Sequence, residues 1–339
     1  MRTQPSDRPE PQPQPQPQPQ PEPESAATRT LAAPPALTPL LLRGALLSPF
    51  KRARPDAPVP GTRLVLSGVR VDLGRLAAYE RVCGFATGPD VLPVTYPHVL
   101  GFPLAMRLMA GRDFPLPLLG LVHTSIGITQ YGEPAATAEY ELAVRVEGLA
   151  PHRRGTEATV LTEARADGGL VWESRSTYLA RHRARTGTPG SPGAAAGSRE
   201  EGAGAVPDRG PAGLPALADW RLAGDVGRRY GAVSGDRNPI HLHPLTARLF
   251  GFPRAIAHGM WTVARCLAEY GPQRAVAVRA DFRAPVLLPG TVTYAARGLD
   301  FELRTGDRVH VSGDVRPLPR APQDTRDASG EPDPAAPTG

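Results

Sequence analysis

The chain has 339 residues, a formal net charge of +6, 41 prolines and 36 glycines, and its basic residues are almost all arginine. Two cysteines, Cys83 and Cys266, exclude a disulfide framework, and no basic stripe with interleaved aromatics points to nucleic acid. The apolar run PLLLRGALL at 39–47 is interrupted by Arg43 and is too short to span a bilayer, so a soluble, cytoplasmic chain is the default expectation.

Residues 1–38 begin with Pro, Gln and Glu, including PQPQPQPQPQ, which favours a solvated polyproline II chain with no material for a core; a disordered tail is expected. A foldable block follows at 39–183. Within it YERVCGF (79–85) precedes a helical stripe of Val99, Phe102, Met106 and Met109, in which Pro103 is tolerable only near the helix start. LVHTSIGITQYGEP (121–134) then ends in turn residues, and AEYELAVRVEGL (138–149) alternates as a strand does. The Gly/Pro/Ala-rich stretch 184–213 reads as a flexible linker.

The second block, 214–319, repeats the plan of the first. YGAVSGD (230–236) overlays YERVCGF, matching Tyr, Val and Gly in step, and His258 falls against His98. Met260, Val263, Ala264 and Leu267 give one apolar helix face, after which AVRADFRAPVLLPG (277–290) and TVTYAARGLDFEL (291–303) repeat the downstream pattern. The polar stretch 320–339 is expected to be a second disordered tail. Each block therefore reads as one long helix followed by antiparallel strands, an α+β unit in which a sheet wraps a central helix.

The blocks differ where the second is chemically richest. Between the two anchors the first block is shorter by nine residues, and the missing part corresponds to the one that carries Asn238 and His241. Asp236 and His241 can hold one water between them, in a loop stiffened by Pro239, and Asn238 can orient that water or a substrate carbonyl. Gly259 stands where a helix begins, so its N–H is free to donate to an oxygen that gains negative charge. These parts suit a reaction that passes through an enolate. Ser234, His258 and Met260 flank the same pocket as candidate substrate contacts. His258 is also read as a structural histidine, because His98 persists without the acid and the loop. His241, His243 and His258 lack a carboxylate at a familiar ligand spacing, so no metal is expected. Arg248, Arg254, Arg279 and Arg283 are candidates for gripping phosphates.

SGDRNPIH followed by GFPRAIAHGM resembles the signature of MaoC-type hydratases and dehydratases, shared with the (R)-specific enoyl-CoA hydratases. The whole chain is similar to the double hot-dog 3-hydroxyacyl-thioester dehydratases of actinobacterial type. The resemblance implies a double hot-dog fold and reversible interconversion of (3R)-3-hydroxyacyl and trans-2-enoyl thioesters in fatty acid metabolism. It implies Asp236 and His241 as the catalytic pair, Asn238 as their helper and Gly259 as the oxyanion donor. Phe85 and Val99 replace the acid and the glycine in the first block, which is expected to be inactive. The implied substrate is an acyl-CoA or acyl carrier protein thioester, with no cofactor, in a monomeric double hot-dog or a homodimer. A hot-dog thioesterase and a non-catalytic acyl-thioester binding or scaffold module are the competing expectations.

Overall fold

The computed structural model describes residues 27–48, 51–54, 56–182, 213–272 and 274–319. The expected polar tails over 1–26 and 320–339 and the linker over 184–212 lie outside the described residues. The expected tail boundary at residue 38 is corrected. Ala27–Thr30 (β1) pairs in parallel with Thr62–Arg70 (β2), and Leu37–Leu47 (α1) is a helix. The apolar content of α1 explains the change: Leu37 and Leu41 pack against the core, and Pro39 sits in the first turn, where a missing N–H is harmless.

The first half continues with Leu73–Cys83 (α2), Tyr96–Met109 (α3), Leu121–Gln130 (β3), Glu139–His152 (β4), Gly155–Ala166 (β5) and Gly169–Arg181 (β6). The second half runs through Ala216–Leu222 (β7), Val226–Ser234 (α4), Pro239–Leu242 (α5), Pro244–Leu249 (α6) and Gly259–Tyr270 (α7). It closes with Val276–Phe282 (β8), Gly290–Arg297 (β9), Asp300–Thr305 (β10) and Arg308–Pro317 (β11).

The eleven strands of the described residues form one sheet in the order β1-β2-β4-β5-β6-β3-β8-β11-β10-β9-β7. Read outward from the β3–β8 junction, the two halves have the same order apart from the extra edge strand β1, so the sequence repeat is a repeat of topology. The junction is antiparallel, with Ser125 opposite Asp281 and Gln130 opposite Val276. Each half wraps its sheet around one long helix, α3 or α7. That enclosure is why Leu104, Ala105, Leu108 and Met109 on α3, and Trp261, Val263, Ala264, Cys266 and Leu267 on α7, are all buried. The architecture is α+β, a double hot-dog.

Two local expectations change. Pro103 lies in the interior of α3, not near its start, and removes the amide that would bond the Val99 carbonyl. Burial of the helix on most sides holds it together across that gap, since tertiary packing rather than propensity stabilises most helices. The segment 291–303 is two strands, not one: Gly298 takes a left-handed φ of 59° and turns β9 back onto β10.

Candidate active site

The repeat is visible at the turns that precede the central helices. α2 ends at Gly84 with φ 85° and α4 ends at Gly235 with φ 84°, a left-handed C-cap that glycine accepts without strain. Tyr79 and Tyr230, one turn earlier on each helix, approach with ring centroids 6.0 Å apart. The next residue is Phe85 in one half and Asp236 in the other.

After Gly235 the chain folds into a set of short local bonds. The Asp236 amide donates to Ser234 Oγ at 3.2 Å, and Asp236 Oδ1 accepts from the Asn238 amide at 3.1 Å. Asn238 Oδ1 caps α5 by accepting from the Ile240 amide at 3.4 Å, with Pro239 in the first helical position. α5 then packs onto α4 across two glycines four residues apart. A Cβ on Gly227 would collide with the His241 carbonyl, and one on Gly231 would come within 2.8 Å of the Asp236 carbonyl. This spacing places His241 beneath Asp236.

His241 is buried, and its Nδ1–H donates to the Ile256 carbonyl at 2.9 Å, since a carbonyl oxygen can only accept. Its Nε2 therefore carries the lone pair. Burial pulls its pKa below the ordinary histidine value, while the charge of Asp236 and the bond to Ile256 oppose that shift. His258 stacks on His241 at 3.7 Å, and its Nε2–H donates to the Asp236 carbonyl at 2.9 Å. Burial first, and His241 second, push its pKa down to about 3, so it is a neutral group that clamps the Asp236 backbone. The Asp236 side chain keeps 28% of its exposure, which leaves the carboxylate within reach of a ligand.

Donor atoms of Asp236, His241 and His258 lie within 4.8 Å of one another. Two features of the set suit a water better than a cation. His258 spends Nε2 on a carbonyl and keeps only Nδ1, which has no partner among the described residues, and the stacked rings send their in-plane lone pairs side by side rather than to one point. A carboxylate and one imidazole Nε2 are two acceptors for the two protons of a water.

Gly259 is the first residue of α7 and His258 is its N-cap. The first intrahelical bond is that of Thr262 to the His258 carbonyl, so among the described residues the Gly259 N–H has no acceptor. A Cβ at Gly259 would come within 2.9 Å of Phe282 Cε1, so the ring lies against the bare backbone.

Asp236, His241 and His258 are thus brought together, with Gly259 next to His258 in the chain. Asn238 contributes to the loop through its cap, with its carbonyl oxygen already occupied. Ser234 is buried and its hydroxyl serves the Asp236 turn, and Met260 is packed in the core, so neither is displayed to a substrate. His243 is exposed and caps α6. Of the four arginines singled out, Arg248, Arg254 and Arg283 donate to Pro253, Pro289 and Ser312, and Arg279 is exposed on β8. A cleft of about 400 Å³ is lined by Arg81, Arg221, Arg229 and Arg265 together with Asp219; Arg229 pairs with Asp225, Arg265 pairs with Glu269, and Arg265 stacks 4.1 Å over Trp220.

Residues 221–315 match the model of the MaoC-like domain. The chain is 38% identical over 268 residues to 3-hydroxyacyl-thioester dehydratase X of Mycobacterium tuberculosis, covering 77% of this chain and 91% of the relative. The crystal structure of HtdX from the same organism superposes with a TM-score of 0.63 and 34% identity, over 76% of this chain and all of that one. A MaoC-like dehydratase at 16% identity, TM-score 0.55, over 75% of this chain and 96% of the other, shares the fold. With the catalytic-type loop occurring once in a duplicated fold and this likeness running the length of both halves, the chain belongs to the MaoC-like hydratase and 3-hydroxyacyl-thioester dehydratase family.

Proposed function

We propose that the chain is a hydro-lyase that adds water to, and removes it from, acyl thioesters, interconverting (3R)-3-hydroxyacyl and trans-2-enoyl thioesters in fatty acid metabolism. The observation that carries this reading is the orientation of His241. With Nδ1–H committed to Ile256, Nε2 is left as the acceptor of a ring that lies within the same small cluster as the Asp236 carboxylate, next to the N-terminus of α7.

In the hydration direction Asp236 and His241 Nε2 each accept one proton of a water, raising the nucleophilicity of its oxygen. That oxygen bonds to C3, the C2–C3 π pair moves to give the thioester enolate, and the pair takes up the proton that leaves the water. The Gly259 N–H donates to the thioester oxygen as it becomes negative, aided by the helix dipole. A proton returned from the pair to C2 completes the addition, and dehydration is the reverse. The half at 214–319 carries this chemistry. The half at 39–183 has Phe85 and Val99 where an acid and a glycine would be needed, and serves the fold. The carrier is CoA or an acyl carrier protein, and paired halves complete the site within one chain. Buried free Cys83 and Cys266, and the lack of a described helix long and apolar enough to cross a membrane, agree with a cytoplasmic setting.

The test follows the loss of enoyl absorbance of crotonyl-CoA, with free thiol measured in parallel. Hydration without thiol release is the expected result. Thiol release without hydration would establish the thioesterase reading, and acyl-CoA binding with no turnover would establish a binding module.

A further inference from the structure

The half without the acid loop also reaches the reaction centre. His123, on β3, lies with its ring centroid 4.8 Å from that of Phe282 across the β3–β8 junction, and Phe282 is the ring against Gly259. Tyr178 on β6 stacks on the other side of His123 at 4.6 Å, and His98, from α3, lies 6.1 Å away. The charge of Asp236 is felt at both His98 and Tyr178, so the wall and the acid share one electrostatic neighbourhood.

The wall holds polar atoms that the protein leaves unsatisfied. His123 Nε2 and His98 Nδ1 are shielded from solvent and have no hydrogen-bond partner among the described residues. An orphaned buried group of this kind is costly, and beside a reaction centre a bound ligand is one means of completing its bonding. The other ring nitrogen of His123 bonds the Ser125 backbone, so Nε2 presents a lone pair, as in His241. Burial holds His123 near pKa 3 and His98 near 4, so neither carries the charge that would attract a phosphate or carboxylate. A neutral acceptor calls for a neutral donor.

Resting on the dehydratase reading, we propose that His123 is a substrate-binding residue whose Nε2 accepts a hydrogen bond from the amide N–H of the carrier arm, two methylenes beyond the thioester sulfur. Asp236 and His241 take the water, and Gly259 takes the thioester oxygen. The next polar group along a carrier thioester is that amide, a donor, and His123 stands next to Phe282, the ring that lies against Gly259. The worn half thereby selects the carrier, and the intact half performs the reaction.

The test compares the crotonyl thioester of N-acetylcysteamine, which has the amide, with S-ethyl crotonothioate, which lacks it. Wild type is expected to favour the first. His123→Phe keeps a ring between Tyr178 and Phe282 but removes the acceptor. It should raise KM for the N-acetylcysteamine thioester about tenfold, with kcat within about threefold, and leave kcat/KM for the S-ethyl ester unchanged. His123→Asn, which retains an acceptor oxygen, should restore part of the loss. An undiminished amide preference in His123→Phe overturns the proposal, as does an equal fall with both substrates, which would mark the ring as packing alone. If wild type hydrates neither substrate, the dehydratase reading itself fails and takes the proposal with it.

Discussion

Replacing Asp236 by Asn tests the catalytic pair with little disturbance of the fold. The amide oxygen can still accept from the Asn238 amide, the backbone N–H still reaches Ser234, and the carbonyl still holds His258 Nε2. The charge is lost, and with it one of the two strong acceptors for the water. A positioned acid or base contributes about 10²–10⁴-fold, which at about 1.4 kcal/mol per tenfold corresponds to about 2.7–5.5 kcal/mol of transition-state stabilisation. Hydration of crotonyl-CoA should therefore fall in kcat by at least about a hundredfold. The thermal midpoint should stay within about 2 °C, because no hydrogen bond of the turn is removed. Activity above about a tenth of wild type, in a protein with an unchanged midpoint, would refute the assignment of Asp236.

His241→Ala should abolish hydration and also lower the thermal midpoint, because the buried Ile256 carbonyl loses its donor at a cost of about 1–3 kcal/mol; differential scanning calorimetry separates the two effects. Gly259→Ala drives a Cβ to 2.9 Å from the Phe282 ring and should destabilise by about 1–3 kcal/mol while displacing the oxyanion donor, and Phe282→Leu in the same chain should recover the stability. Phe85→Asp placed in the Asp236→Asn background should remain inactive in the crotonyl-CoA assay, since the first half lacks the loop that would supply an imidazole. Acid should destabilise the protein early. Burial lowers His258 and His123 to about 3 and His98 to about 4, so below the unfolded value of about 6.5 the unfolded chain binds protons that the folded chain does not. Stability is then complete above that value and is lost as pH falls toward the folded pKa values, and a thermal midpoint that stays flat between pH 7 and pH 5 would contradict it.

The part of the site that is legible in the sequence is the part built from neighbouring residues. Asp236, Asn238 and His241 fall within six residues and are fixed by a left-handed glycine, an Asx-type bond and a proline, all local devices with recognisable residue types. Locality also misleads. Ser234 and Met260 adjoin the motif and so read as substrate contacts, yet one is consumed by the Asp236 turn and the other by the core. Gly227 and Gly231 are visible as a pair, but nothing in the sequence says that a second helix lies on them. His123 and Phe282 escape notice for a related reason: strand pairing between β3 and β8 brings them together beside Gly259, and hydrophobic alternation identifies strands without identifying their partners. The Pro103 position and the split at Gly298 show the same limit, since enclosure of α3 and closure of the β9–β10 hairpin are decided by packing.

The two halves can diverge in chemistry because they are bound together in structure. β3 and β8 form the centre of one sheet, Trp261 Nε1 of the intact half donates to the Val82 carbonyl of the other at 2.9 Å, and Arg75 Nε of the worn half donates to the Val233 carbonyl at 2.7 Å. These bonds fix how Gly235 and Gly259 stand relative to the worn half, and so fix the mouth of the site. Loss of an acid, a helix-start glycine and a nine-residue loop from the worn half costs no part of that framework, because none of them takes part in the joint. Loss of His123 or Tyr178 would alter the aromatic wall that meets Phe282 beside Gly259. A duplicated fold of this kind needs one reactive loop, but it needs both halves to surround it.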